Sequence, residues 1–176
     1  LELATAGELA EGRMSALYSL AGLRALHESV IAQALRDRSS MVRVHALRLS
    51  EGMLVDSAQL VNQLCNMTDD EEVAVRYQLA FSLGAANGVQ RNEALAMLVM
   101  GDAGNDWMRM AVLSSLQRGA AEVFQQLVEN RPFCDSERGR EFLLALAKQV
   151  GSACFTHRQR APEAVYHQMM VGSDIY

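Results

Sequence analysis

Four arginines, Arg13, Arg43, Arg76 and Arg109, each lead a similar phrase, and they lie 30, 33 and 33 residues apart. From the residue before each arginine the phrases read Gly-Arg-Met-Ser-Ala-Leu-Tyr-Ser-Leu, Val-Arg-Val-His-Ala-Leu-Arg-Leu-Ser, Val-Arg-Tyr-Gln-Leu-Ala-Phe-Ser-Leu and Met-Arg-Met-Ala-Val-Leu-Ser-Ser-Leu. Self-similarity at such a period marks a chain built from one small unit repeated in file. A unit of this size cannot cover its own apolar face, so it must stack on its neighbours. Function is constrained too. A stack of units makes a long surface and rarely an enclosed pocket, so the expected work is holding something.

The units read as helical. The chain has two prolines in 176 residues and many Ala, Leu, Met and Gln, and no stretch alternates apolar with polar for long. In the clearest unit, Asp56 and Ser57 supply side-chain oxygens for the orphan N–H groups of a helix start. Ala58, Leu60, Val61, Leu64 and Cys65 follow at helical spacing. The acidic run 69–72 suits the positive end of a second helix, with Val73, Val75, Leu79, Ala80 and Leu83 on one side. Gly84 and Gly88 are expected to end it. Residues 2–11 with 13–23, 27–37 with 41–49, 88–100 with 107–116, and 120–130 with 137–150 repeat the plan, the last closing near Gly151. The expected fold is all-α, five helical hairpins in one array over residues 1–155. Its second helices lie near 13–23, 41–51, 72–84, 106–117 and 137–150. Residues 156–176 form a C-terminal extension, with one more helix over 164–170.

Little in the sequence points to chemistry. A net charge of −5 with no basic block lacks the footprint of a nucleic-acid binder. No apolar run of about 18 residues is present, so membrane insertion is not expected. Cys65, Cys134 and Cys154 form no Cys-x-x-Cys pair and read as small core residues, with a Cys134–Cys154 pairing left open for an oxidising compartment. His27, His45, His157 and His167 lack metal-ligand spacing. Glu71 and Glu72 sit at a helix start, and Ser39-Ser40 and Ser114-Ser115 have no partner histidine in the local sequence. Glycine-rich phosphate loops are absent. No catalytic residue, metal ligand or cofactor is expected. The ten methionines fit as adaptable filler between units.

The second helices resemble the HEAT repeat, whose pattern runs Asp, four residues, Val-Arg, then small or apolar residues ending in Leu-Gly. Asp37 with Val42-Arg43 fits it, and Asp70 with Val75-Arg76 fits it again, completed by Leu79, Ala80, Ser82, Leu83 and Gly84. Asp102 stands one residue further from Met108-Arg109, the first unit has Gly12 in place of valine, and the fifth reads Gly139-Arg140 with Ala147 for the leucine. The resemblance implies an α-solenoid, a superhelix in which Asp37, Arg43, Asp70, Arg76, Asp102 and Arg109, with Arg13, form a ladder tying each repeat to the next. A guanidinium has five fixed donors, enough for a carboxylate and loop carbonyls together. The resemblance also implies that second helices line a concave side. Positions two and five after each arginine should look outward there: Ser15 and Tyr18, His45 and Arg48, Gln78 and Phe81, Ala111 and Ser114. Tyr18 and Phe81, aromatics beside polar groups, are the candidate anchors.

A narrower similarity covers about residues 12–120. Leu17-Tyr18-Ser19-Leu20 with Gly22-Leu23, Val42 through Leu49, Gln78-Leu79-Ala80 with Ser82-Leu83-Gly84, and Trp107-Met108-Arg109 with Ala111 through Leu116 follow one another in a series similar to the HEAT segment of large multidomain proteins from planctomycete-type bacteria. In those, a propeller-like dehydrogenase domain precedes the repeats and a c-type cytochrome module follows. The similarity implies an extracytoplasmic spacer or docking platform whose partner is another domain of the same chain or a separate protein. Outside that group a cytoplasmic location is expected. The haem-attachment motif Cys-x-x-Cys-His is missing, so no redox activity carries over. The alternative is a HEAT-type enzyme or accessory, such as a bilin lyase-like or DNA glycosylase-like protein. A glycosylase needs a basic groove with an acid, whereas the outward set holds one arginine, one histidine and no carboxylate. A start at Leu-Glu-Leu, without methionine or leader, reads as a piece of a longer protein.

Overall fold

Apolar residues at helical spacing, interrupted by polar turns, fold into eleven α-helices in the computed structural model, which describes residues 2–159, with side chains to residue 151. They are α1 Glu2–Ala6, α2 Ala10–Gly22, α3 Glu28–Ala34, α4 Ser40–Ser50, α5 Ala58–Cys65, α6 Val73–Ser82, α7 Val89–Gly101, α8 Asp106–Ser115, α9 Ala120–Val128, α10 Arg131–Asp135 and α11 Glu137–Gln159. Among the described residues there is no strand, and no helix is long and apolar enough to cross a membrane.

Several starts are set by side chains that replace missing intrahelical partners. Ser57 Oγ accepts from the Leu60 N–H, Asn105 Oδ1 from those of Trp107 and Met108, and Asn130 Oδ1 from that of Phe133. Gly119 opens α9 with a φ of 75°, a left-handed conformation, and an added Cβ would lie 2.3 Å from Asn92 Oδ1.

The packing runs in chain order. Helices α2, α4, α6 and α8 each lie against the one before, and α3, α5, α7 and α9 do the same. The valines before the arginines explain themselves here, because Val42, Val75 and the equivalent Met108 are fully buried. So are Leu17, Leu47, Leu79, Ala80 and Val112 later in the same helices. Each buried Leu-sized side chain contributes about 1.5–3 kcal/mol, so a few at every junction are needed to offset chain entropy. Cys65, half-buried on α5, has its thiol pushed up to about 11 by burial and then by the charge of Glu93.

Four expectations are corrected. The helix over 2–11 stops at Ala6, because the carbonyls of Gly7 and Glu8 turn inward to Arg13. Gly88, with a φ of 110°, precedes α7, as expected for a helix over 88–100, but does not also end α6, which stops at Ser82. A short helix, α10, intervenes between α9 and α11, started by Asn130 and by Pro132 in its first turn. Finally, α11 does not close at Gly151 but continues to Gln159. The expected helix over 164–170, with the rest of 160–176, lies outside the described residues.

Candidate interaction surface

Three of the four repeated arginines anchor successive junctions. Arg13 Nε and Nη2 donate to the two carboxylate oxygens of Asp37, both at 2.7 Å. Arg43 does the same to Asp70, both at 2.8 Å, and Arg76 to Asp102, at 2.7 and 2.8 Å. The remaining Nη1 of each arginine donates to a carbonyl six residues earlier: Gly7 for Arg13 (2.7 Å), Asp37 for Arg43 (2.8 Å), and Asp70 for Arg76 (2.5 Å). One planar fork thus closes its own turn and grips the next hairpin, geometry that a lysine could not reproduce. The aspartates work in two directions as well. Asp37 Oδ1 accepts from the Ser39 N–H at 2.8 Å, and Asp70 Oδ1 from the Glu72 N–H at 3.0 Å, fixing the entries to α4 and α6. Burial alone would push the Asp37 carboxyl up, but the Arg13 hydrogen bonds, the Ser39 N–H and nearby charges outweigh it and hold it below its ordinary value.

Arg109 departs from this series. Its Nη1 keeps the bond to the Ala103 carbonyl at 2.7 Å, but its Nη2 pairs with Asp106 at 2.6 Å and with Glu141 at 3.6 Å. Asp135 stands at the spacing Asp102 has from Arg76, but it is the last residue of α10 and is not offered to Arg109. Asp102 itself belongs to Arg76. The neighbouring Gly139 is explained by the same helix. A Cβ there would fall 1.8 Å from the Phe133 carbonyl oxygen, so no other residue fits.

Beside the anchors runs a surface seam. Residues two before, one after and five after each arginine share one helix face, because they are spaced i, i+3, i+7. They are Glu11, Met14 and Tyr18 on α2; Met41, Val44 and Arg48 on α4; Ala74, Tyr77 and Phe81 on α6; Trp107, Met110 and Ser114 on α8. Every member is exposed or half-exposed. Trp107 is 68% exposed, Met110 61% and Phe81 40%. Tyr77 and Phe81 meet edge to face with centroids 5.0 Å apart.

The expected outward residues divide by position. At position five, Tyr18, Arg48, Phe81 and Ser114 are all exposed. At position two, Ser15 is exposed and His45 half-buried, while Gln78 (7% exposed) and Ala111 are buried, which corrects their placement on an open face. The reason is lateral. In the first two helices the position-five side chain reaches across to position two of the next helix. Tyr18 Oη lies 2.7 Å from His45 Nδ1, and Arg48 Nε donates to Gln78 Oε1 at 2.7 Å. Gln78 Nε2 donates to Ser82 Oγ at 3.2 Å, and that hydroxyl donates to Glu51 at 2.8 Å, so a polar relay ties α4 to α6. Burial, then the charge of Arg48, hold the His45 imidazole below its ordinary value.

Reading the sequence in isolated positions missed Met41, Trp107 and Met110. The i, i+3, i+7 spacing across the four phrases was the signal available. Among the described residues no cluster of three or more His, Cys, Asp or Glu is placed to hold a metal ion. No family model, curated protein or solved structure matches the chain.

Proposed function

We propose that this chain is a HEAT-like α-solenoid and serves as a non-catalytic protein-interaction or spacer module within a larger multidomain protein. The observation that carries the reading is the seam. Trp107, Met110, Met41 and Phe81 leave large apolar side chains in solvent on helices that lie side by side. Large exposed apolar surface of that kind marks contact with another protein more often than it serves the free chain. Aromatic residues and methionine are also the types enriched at interface centres. In the multidomain setting that the sequence resembles, the covering surface belongs to a flanking domain. The Arg–Asp links at three successive junctions support the spacer role, because they resist bending between hairpins.

Hydroxyl-radical footprinting tests the reading. The stretch is labelled alone and again within the full polypeptide purified with its bound proteins. Trp107 and Met110 are expected to show several-fold protection in the second case, and Trp107→Ala to weaken the association by about thirtyfold, the effect of losing one strong anchor. Equal reactivity in both preparations contradicts the proposal.

A further inference from the structure

At the far end of α6 and α8 a buried cation lacks a counter-ion. Arg91, on α7, is 2% exposed, and no carboxylate pairs with it among the described residues. Its acceptors are all neutral. Nε donates to the Leu83 carbonyl at 3.0 Å, Nη1 to Asn92 Oδ1 at 2.7 Å and to the Arg118 carbonyl at 2.8 Å, and Nη2 to the Ser115 carbonyl. A guanidinium has five N–H groups, so one Nη2 hydrogen has no acceptor among the described residues. The carbonyls at the ends of α6 and α8 offset part of the charge but cannot neutralise it.

A second guanidinium stands beside it. Arg118 is exposed and donates to Asn87 Oδ1 at 3.0 Å, and it too forms no ion pair among the described residues. Burial, and next the closeness of Arg118, push the Arg91 pKa below the ordinary guanidinium value. Both arginines line one cavity of about 620 Å³, together with Asn87, Ser115, Phe81 and Val55. No aspartate or glutamate lines it, although the chain carries more acids than bases. A volume in this range suits a small ligand or the end of a peptide.

We propose that this cavity binds a carboxylate carried by an apolar group, as at the free C-terminus of a chain that ends in leucine. The carboxylate accepts from Arg118 and from the open Nη2 hydrogen of Arg91, charge-assisted bonds that are stronger than neutral ones. The apolar side chain rests on Phe81 and on the exposed Val55. A polyphosphate or nucleic acid fits less well, because the net charge of −5 repels a polyanion. The assignment rests on the interaction-module reading and names a partner chemistry for one end of the seam.

Isothermal titration uses three probes: acetyl-Ala-Leu as the free acid, the same dipeptide as its amide, and inorganic phosphate. The acid is expected to bind, with the amide about tenfold weaker and Arg118→Gln about tenfold weaker for the acid, the effect of one lost charge-assisted bond. Circular dichroism checks that Arg118→Gln stays folded, and its exposed side chain can be replaced without opening the core. Equal binding of acid and amide, or no binding of the acid, overturns the proposal. Phosphate binding as tightly as the acid overturns the apolar-carboxylate assignment. Trp107 and Met110 lie outside the cavity, so footprint protection there with no dipeptide binding sinks the pocket alone, and the reverse sinks the seam alone.

Discussion

Replacing Arg91 with alanine is expected to cost about 3–5 kcal/mol of folding stability, the range for stripping a buried charged donor from several acceptors at once. The loss takes the guanidinium from the carbonyls of Leu83, Ser115 and Arg118, of which Leu83 keeps the Ala86 N–H, at the point where the ends of α6 and α8 meet the start of α9. It also empties a buried volume that the surrounding helices can refill only in part. Urea unfolding followed by circular dichroism measures the change. Arg91→Lys is expected to recover little, because a point charge with three donors cannot span acceptors spread over two helix ends. A loss below about 1 kcal/mol for the alanine variant, the worth of an ordinary single hydrogen bond, contradicts the clamp.

Removing the Arg76 side chain is expected to have the next largest effect, about 2–4 kcal/mol. Arg76 holds Asp102 with two bonds and the Asp70 carbonyl with a third, so its loss frees a turn and a junction together. The informative comparison is Arg109→Ala. Arg109 occupies the same position in its own phrase, but its acidic partners, Asp106 and Glu141, are themselves largely in solvent. Exposed pairs of that kind contribute about 0–1 kcal/mol. Chemical denaturation of the two variants side by side checks the difference. Equal losses would mean that the repeated arginines act through packing of their stems, not through the links to the following hairpin.

Much of this was legible because it recurs locally. The offset of Asp37 from Arg43, and of Asp70 from Arg76, is short and repeated, so the aspartates that turn out to grip Arg13 and Arg43 were visible in the sequence. The exposure of Tyr18, Arg48, Phe81 and Ser114 was expected from the resemblance to HEAT repeats. The burial of Gln78 did not, because it depends on Arg48 and Glu51 of another helix, and a glutamine in isolation reads as surface. Arg91 was silent for a related reason. Three of its partners are backbone carbonyls, which every residue carries, so no side-chain pattern announces the clamp. The run of α11 past Gly151 shows propensity yielding to context, since one glycine costs a helix only about 1 kcal/mol relative to alanine. Helix α10 is different. Asn130 with Pro132 two residues on is a readable helix start, but it falls where the repeated two-helix plan has only a turn.

Deleting residues 38–70 tests the central claim, that the chain is a file of interchangeable hairpins. The cut removes 33 residues, the interval from Arg43 to Arg76, and sets Arg76 six residues after Asp37, the offset that Arg43 holds in the intact chain. In an array whose units touch only their neighbours, stability is a sum over units and junctions. The shortened chain should therefore remain helical and melt in one cooperative transition at a lower temperature. A chain that loses its helical signal, or melts without cooperativity, would mean that the hairpins depend on contacts beyond their neighbours, and the account of stacked, linked units would be wrong.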